Sequence, residues 1–347
     1  MRRLDLRGSL PPFFSDRPVT RVFLAIAVAA YLAVLLLDGV AMSGGFGMFG
    51  PTGLAAFAAG SYMTVAVHEH GQWERAAASG IIHGGLLHLL LNTACIMRLG
   101  GLLETLSGSR RTLLVFGLSQ AGAAAAVSLG ALVEGVPQNT VGASGIACGI
   151  AAALWVQWCG ERRTVLDDHR RDMAVFLVLS LLYGLVPGIS FLGHLGGIVG
   201  GGVAGLLLRR RAGIRLKGDR LATALDLTGW LLAALFIAGT ILAAVRAPAR
   251  LDVLKRWDPV IDAAAQVSEW SAGAPFDPLD REGFERTLAV LGDEDALGAV
   301  VAEVKAAFAR FLAVGPGDAG TEAALDRAYD GLDAALRDCG IRTRREP

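Results

Sequence analysis

Apolar residues gather along the chain into seven runs separated by polar breaks: residues 22–40, 80–97, 113–133, 141–158, 173–186, 192–208 and 227–245. A helix that crosses a bilayer needs about 20 mainly apolar residues, so the pattern predicts a membrane helix over each run. The fifth and sixth runs are short, and only residues 187–191 part them. So short a break predicts a hairpin, or a helix end covered by protein rather than lipid. Residues 42–67 form a further apolar stretch ahead of the second run. After residue 250 the pattern turns amphipathic. Leu297, Val300, Val301, Val304, Phe308 and Leu312 recur at helical spacing, as do Leu325, Tyr329, Leu332 and Leu336. Pro275, Pro278 and Gly315-Pro316-Gly317 mark breaks. This part reads as a small helical bundle outside the lipid.

Composition agrees with the pattern. The 347 residues are 53% hydrophobic and 18% charged, against roughly a quarter charged in soluble domains. That excludes a disordered chain, a nucleic-acid binder carried by bulk positive charge and a disulfide-rich miniprotein. The formal net charge of zero is the sum of two unlike parts. Residues 1–246 hold 20 Lys/Arg against 13 Asp/Glu, and residues 247–347 hold 12 against 19. Cys95, Cys148 and Cys159 lie in or at the end of apolar runs, and only Cys339 is in the tail, so no disulfide is expected for it.

Charge also predicts orientation. Arg2, Arg3, Arg7, Arg17 and Arg21 precede the first run. Arg98, Arg110 and Arg111 follow the second. Arg162, Arg163, Arg170 and Arg171 follow the fourth, and Arg209, Arg210, Arg211, Arg215, Lys217 and Arg220 follow the sixth. The alternate loops hold Arg75 alone. Basic loops stay in the cytoplasm. The N-terminus is therefore expected inside, the acidic tail outside, and the even-numbered helices run from outside to inside. Trp155, Trp158 and Trp230 sit near run ends, where interfacial aromatics gather. The first 21 residues are polar and basic with no cleavage signature, so the first helix is expected to be a retained signal-anchor.

Strongly polar groups inside a membrane are costly and mark function. The second run carries His83, His88 and Asn92. The fourth opens with Gly142-Ala143-Ser144-Gly145, and the sixth with Gly193-His194-Leu195-Gly196-Gly197. All three runs enter from the expected outer side, so these groups share one layer. The chemistry fits a hydrolase. Serine needs a base to become a nucleophile, and His194 is the candidate base for Ser144. His88 and Asn92, at i and i+4, share one helix face and can donate to an oxyanion. A free backbone N–H near the start of the Ser144 helix can join them. Gly145 and Gly149, and Gly193, Gly197, Gly201 and Gly205, repeat every four residues and let the two helices approach closely.

These residues resemble the rhomboid family of intramembrane serine proteases over about residues 20–210. The elements are His83-Gly-Gly-Leu-Leu-His88-Leu-Leu-Leu-Asn92, Gly142-Ala143-Ser144-Gly145 and Gly193-His194-Leu195-Gly196-Gly197. Arg75, with Trp73 nearby, is similar to the family's Trp-Arg element in the first external loop. The resemblance implies Ser144 as nucleophile and His194 as general base without a third acid. It implies an oxyanion hole from His88, Asn92 and the Ser144 backbone N–H. It further implies that His83 helps to retain water, that Arg75 anchors the loop, that residues 42–67 form a membrane-embedded hairpin, and that the fifth helix is a lateral substrate gate. There are departures. Glu74 stands between Trp73 and Arg75, and Cys148 replaces the aromatic that many members stack on the base. Residues 250–347 lie outside the resemblance.

The expected fold is an all-α polytopic bundle: a cytoplasmic segment at 1–21, a six-helix catalytic core at 22–210, a basic loop and seventh membrane helix at 211–246, and an acidic helical domain at 247–347. The expected activity is hydrolysis of peptide bonds in or near transmembrane segments of other proteins, in a bacterial inner membrane, without cofactor or metal. His68-Glu69-His70 lacks the His-Glu-x-x-His spacing of a zinc protease. The expected partners are transmembrane substrates and lipid, with substrate or protein docking on the C-terminal domain and no nucleic acid. Two other classes stay open: a catalytically silent rhomboid-like binding or quality-control protein, and a transporter using His83, His88 and His194 as a proton relay.

Overall fold

The computed structural model describes residues 17–41, 48–159, 166–209, 220–271, 298–314 and 318–336. It divides into two compact units, Met1–Thr64 with Trp73–Val245, and Val65–Gln72 with Arg246–Pro347. In chain order the helices are α1 (Pro18–Asp38), α2 (Gly53–Ala58), α3 (Thr64–His68), α4 (Arg75–Ala78), α5 (Leu86–Ser107), α6 (Ser109–Glu134), α7 (Ser144–Trp158), α8 (Asp167–Tyr183), α9 (Phe191–Leu208), α10 (Arg220–Ser271), α11 (Gly298–Val314) and α12 (Ala319–Leu336). Two antiparallel ladders join the loops. β1 (Val40–Ala41) pairs with β2 (Gly50–Pro51), and β3 (Tyr62–Met63) pairs with β4 (Asn139–Thr140), Tyr62 opposite Thr140.

Most of each of the seven apolar runs falls on a helix, and among the described residues five helices are long and apolar enough to cross a membrane: α1, α5, α6, α9 and Leu221–Lys255 of α10. The chain is an integral membrane protein. The other two runs fall short for different reasons. α7 has only 15 residues, and every residue from Gly145 to Leu154 is buried. An apolar helix enclosed on all sides by protein need not match the lipid thickness. α8 begins with Asp167 and Asp168 and buries no residue.

Several bounds differ from expectation. α5 starts at Leu86, because Gly84 and Gly85 precede it and Gly85 is extended. It then runs through Arg98 to Ser107, and Gly108 alone, at φ +85°, separates it from α6. Residues 48–67 form short strands and helices rather than a plain apolar hairpin, and residues 42–47 lie outside the described set. α10 continues past the end of its apolar run, through Pro248, to Ser271. Residues 247–271 hold five Ala, two Leu, two Arg and one Lys, all good helix formers, although Pro248 and Pro259 stand among them.

The α5–α6 joint contains a buried carboxylate. Glu104, 3% exposed, accepts from the backbone N–H groups of Val19 and Thr20 at 3.0 Å, from the Thr20 hydroxyl at 2.8 Å and from the Ser109 hydroxyl at 2.7 Å. It satisfies otherwise unpaired donors at the start of α1 and pins α6 beside it. Glu104→Ala strands these donors in a buried place and should cost about 3 kcal/mol. Thermal unfolding of the purified protein measures this, and Glu104→Gln, which keeps one acceptor, should lose less.

In the second unit α11 and α12 pack against each other. Val304, Ala307, Phe308 and Phe311 are buried on α11, and Leu325, Ala328, Tyr329 and Leu332 on α12. Phe308 and Tyr329 rings lie 6.3 Å apart. Asp318 caps α12, accepting from the Thr321 hydroxyl at 2.9 Å and N–H at 2.8 Å and from Arg310 at 3.1 Å. The Thr321 hydroxyl and N–H, and then Arg310, hold the Asp318 carboxyl below the usual carboxylate range. Pro275, Pro278, Gly315-Pro316-Gly317 and Cys339 lie outside the described residues.

Candidate active site

Ser144 is the first residue of α7, and His194 lies in the first turn of α9. Glycine brings these helices together. A Cβ on Gly145 would stand 3.0 Å from the Gly193 carbonyl oxygen. A Cβ on Gly197 would run into the Gly145 backbone, and one on Gly201 into that of Gly149. The two backbones therefore touch, and the residues next to Gly145 and Gly193 are neighbours at one level. Ser190 starts α9 by accepting the Gly193 N–H at 3.0 Å.

The His194 ring is buried and has a partner. Its Nδ1 lies 2.8 Å from the backbone carbonyl oxygen of Ser180 on α8. A carbonyl can only accept, so Nδ1 carries the proton and Nε2 keeps its lone pair. Among the described residues no hydrogen bond joins Ser144 to His194. Cys148, one turn along α7 from Ser144, is a buried free thiol.

His88 and Asn92 lie on α5 as expected, four residues apart. Both reach the turn ahead of Ser144. Gly142 sits there at φ +111°, held by its N–H to the Ser79 carbonyl at 2.8 Å. A Cβ on Gly142 would meet His88 Nε2 at 2.6 Å and Asn92 Nδ2 at 3.4 Å. Only glycine fits, for its backbone angle and for lack of room. Asn92 Nδ2 is buried without a hydrogen-bond acceptor. A buried amide left unpaired is costly and is a mark of a site rather than of packing.

His83 needs correcting. It is not on the second membrane helix but in the bend before α5. Its Nδ1 donates to the Ile81 carbonyl at 2.9 Å, its Nε2 is buried without a partner, and its ring meets His88 edge-on at 5.2 Å. Arg75 is fully buried. It donates to the carbonyls of Phe57 at 2.7 Å and Ser61 at 3.0 Å and lies 4.4 Å from the centre of the Phe57 ring, fastening the turn between α2 and β3. Trp73, two residues earlier, is 63% exposed.

Four polar residues that the sequence reading passed over line the cleft beside Ser144: Tyr62, Ser79, Gln120 and Thr140. Ser190 completes it. Gln120 is mostly buried and donates to the Ala76 carbonyl at 2.7 Å and to Ser79 Oγ at 3.3 Å. An amide in the middle of an apolar helix was a legible signal. Among the described residues no three His, Cys, Asp or Glu side chains gather as a metal set.

The rhomboid-domain family model matches residues 70–211. The chain is 30% identical over 151 residues to "Rhomboid protease GluP" of Bacillus subtilis, an alignment covering 43% of this chain and 28% of that protein. It is 29% identical over 127 residues to "Rhomboid-like protease 3" of Toxoplasma gondii, covering 35% of this chain and 46% of that one. The chain thus spans less than half the length of these two relatives.

Proposed function

The match of the rhomboid-domain model to residues 70–211 is the premise on which we propose that the chain is an intramembrane serine endopeptidase acting on transmembrane proteins. Ser144 Oγ attacks the scissile carbonyl carbon while His194 Nε2 takes its proton. The oxyanion of the tetrahedral intermediate accepts from His88 Nε2–H, Asn92 Nδ2–H and the Ser144 backbone N–H. The imidazolium returns the proton to the leaving amine, and the serine ester remains. Water in the cleft beside Tyr62, Ser79 and Gln120 then gives its proton to His194 and hydrolyses the ester. The observation that carries this reading is the unpaired Asn92 amide beside His88 at the turn into Ser144. It supplies donors that the resting protein leaves unused.

The loop charges support a cytoplasmic N-terminus, with the cleft opening toward the outer face. A catalytically silent binding role has one observation on its side, the lack of a direct Ser144–His194 hydrogen bond among the described residues. A fluorophosphonate probe separates the two. On the endopeptidase reading it adds to Ser144, located by peptide mass spectrometry, and the adduct is lost in His194→Ala. An unlabelled wild-type protein would favour the silent reading.

A further inference from the structure

α8 is fastened at its two ends and little between. At its start, Arg170 donates to the Trp158 carbonyl at 3.0 Å, closing the end of α7, and the His169 ring lies 5.8 Å from that of Trp158. Between the ends no residue of α8 is buried, and Val175, Val178, Leu179 and Leu182 are about half exposed or more. At its far end the Ser180 carbonyl accepts both the Gly184 N–H at 3.1 Å and His194 Nδ1 at 2.8 Å. This carbonyl belongs to the last turn of α8, where unpaired carbonyls concentrate the negative end of the helix dipole.

In a serine triad a buried acid holds the base histidine by Nδ1–H, fixes the tautomer and stabilises the imidazolium. Here a helix end stands in that place. Resting on the Ser144–His194 reading above, we infer that the Ser180 backbone carbonyl is the orienting group of the catalytic base, so that acylation proceeds only while α8 is seated against α9. Nδ1 keeps its proton throughout. The proton from Ser144 Oγ arrives at Nε2, and the positive charge it creates faces the carbonyl oxygen. Without this partner the ring is free to turn away from Ser144. The competence of the base therefore depends on the seating of the last turn of α8 against His194.

A backbone change tests this at one atom. Incorporating the α-hydroxy analogue of leucine at position 181 turns the Ser180–Leu181 amide into an ester, whose carbonyl is a weaker acceptor. The α-hydroxy analogue of valine at position 178 removes an equivalent helix N–H and weakens a carbonyl that does not face His194. In the full chain in detergent, the ester at 181 should lower kcat about tenfold, with KM within about twofold, and the ester at 178 should leave both nearly unchanged. Nitrogen-15 spectra of histidine-labelled protein should show Nδ1 of His194 protonated in the wild type and exchanging tautomers in the ester at 181. Equal losses in the two esters, or a wild-type His194 protonated on Nε2, would overturn the inference. Failure of the dyad itself reads differently: Ser144 goes unlabelled in the wild type while the Nδ1 proton of His194 persists.

Discussion

Ser144→Ala should lower cleavage of a model transmembrane substrate by about ten-thousandfold or more, to the background rate. The cause is specific. Without Oγ no acyl bond forms, and the remaining donors only bind a carbonyl that nothing attacks. His194→Ala should cost about as much, and the double variant no more than either, because the two act as one unit. Asn92→Ala should cost about a hundredfold to a thousandfold in kcat with little change in KM, since its amide is asked to bond only the charged intermediate. Stability should hardly move in Ser144→Ala, because Ser144 is half-buried and its side chain caps nothing. Steady-state kinetics beside thermal unfolding check all of this. Cleavage retained in Ser144→Ala would remove the serine mechanism.

Gly197→Ala should be a severely damaging single-methyl change. The added Cβ meets backbone rather than a movable side chain, so α7 and α9 must part. Overpacking of this kind costs about 1–3 kcal/mol. Displacing a base by about 1 Å from its nucleophile costs about a hundredfold in rate. Gly202→Ala is the matched control: on the same helix, a Cβ there meets nothing within 4 Å. It should keep full activity and gain slightly in stability from better helix propensity. Equal damage in both variants would show that α9 resists any added methyl and would remove the helix-contact argument.

What could be read from the amino acids follows from how each residue acts. Gly145, Gly149, Gly197 and Gly201 announced a backbone contact because spacing alone sets which face they share. His88 and Asn92 were legible for the same reason. His83 was misplaced because the apolar run continues through Gly84 and Gly85, where the helix has not yet begun. Apolar character marks lipid or core, and says little about where a helix starts. Arg75 was found by resemblance, but its partners are the carbonyls of Phe57 and Ser61, which carry no side-chain signature. Ser180 is the extreme case. What it offers His194 is a carbonyl that every residue has, so only the fold could single it out. Glu104 was counted as a charge, although its use is to tie two helix starts together.

The bare backbone contact between α7 and α9 has a consequence for how such a protein can diversify. Where two helices meet through Gly145, Gly197, Gly149 and Gly201, no side chain lies between them to be exchanged for another. That seam is closed to gradual change: each step is a collision. On the proposed endopeptidase function, selectivity is open to adjustment on the surfaces that still carry exchangeable side chains. Leu86, Leu87, Leu90 and Leu91 on α5, and Val175, Val178, Leu179 and Leu182 on α8, all stand outward. An engineer seeking a new substrate should therefore leave the seam untouched and randomise these two outer faces. Variants found there would inherit the same cutting geometry.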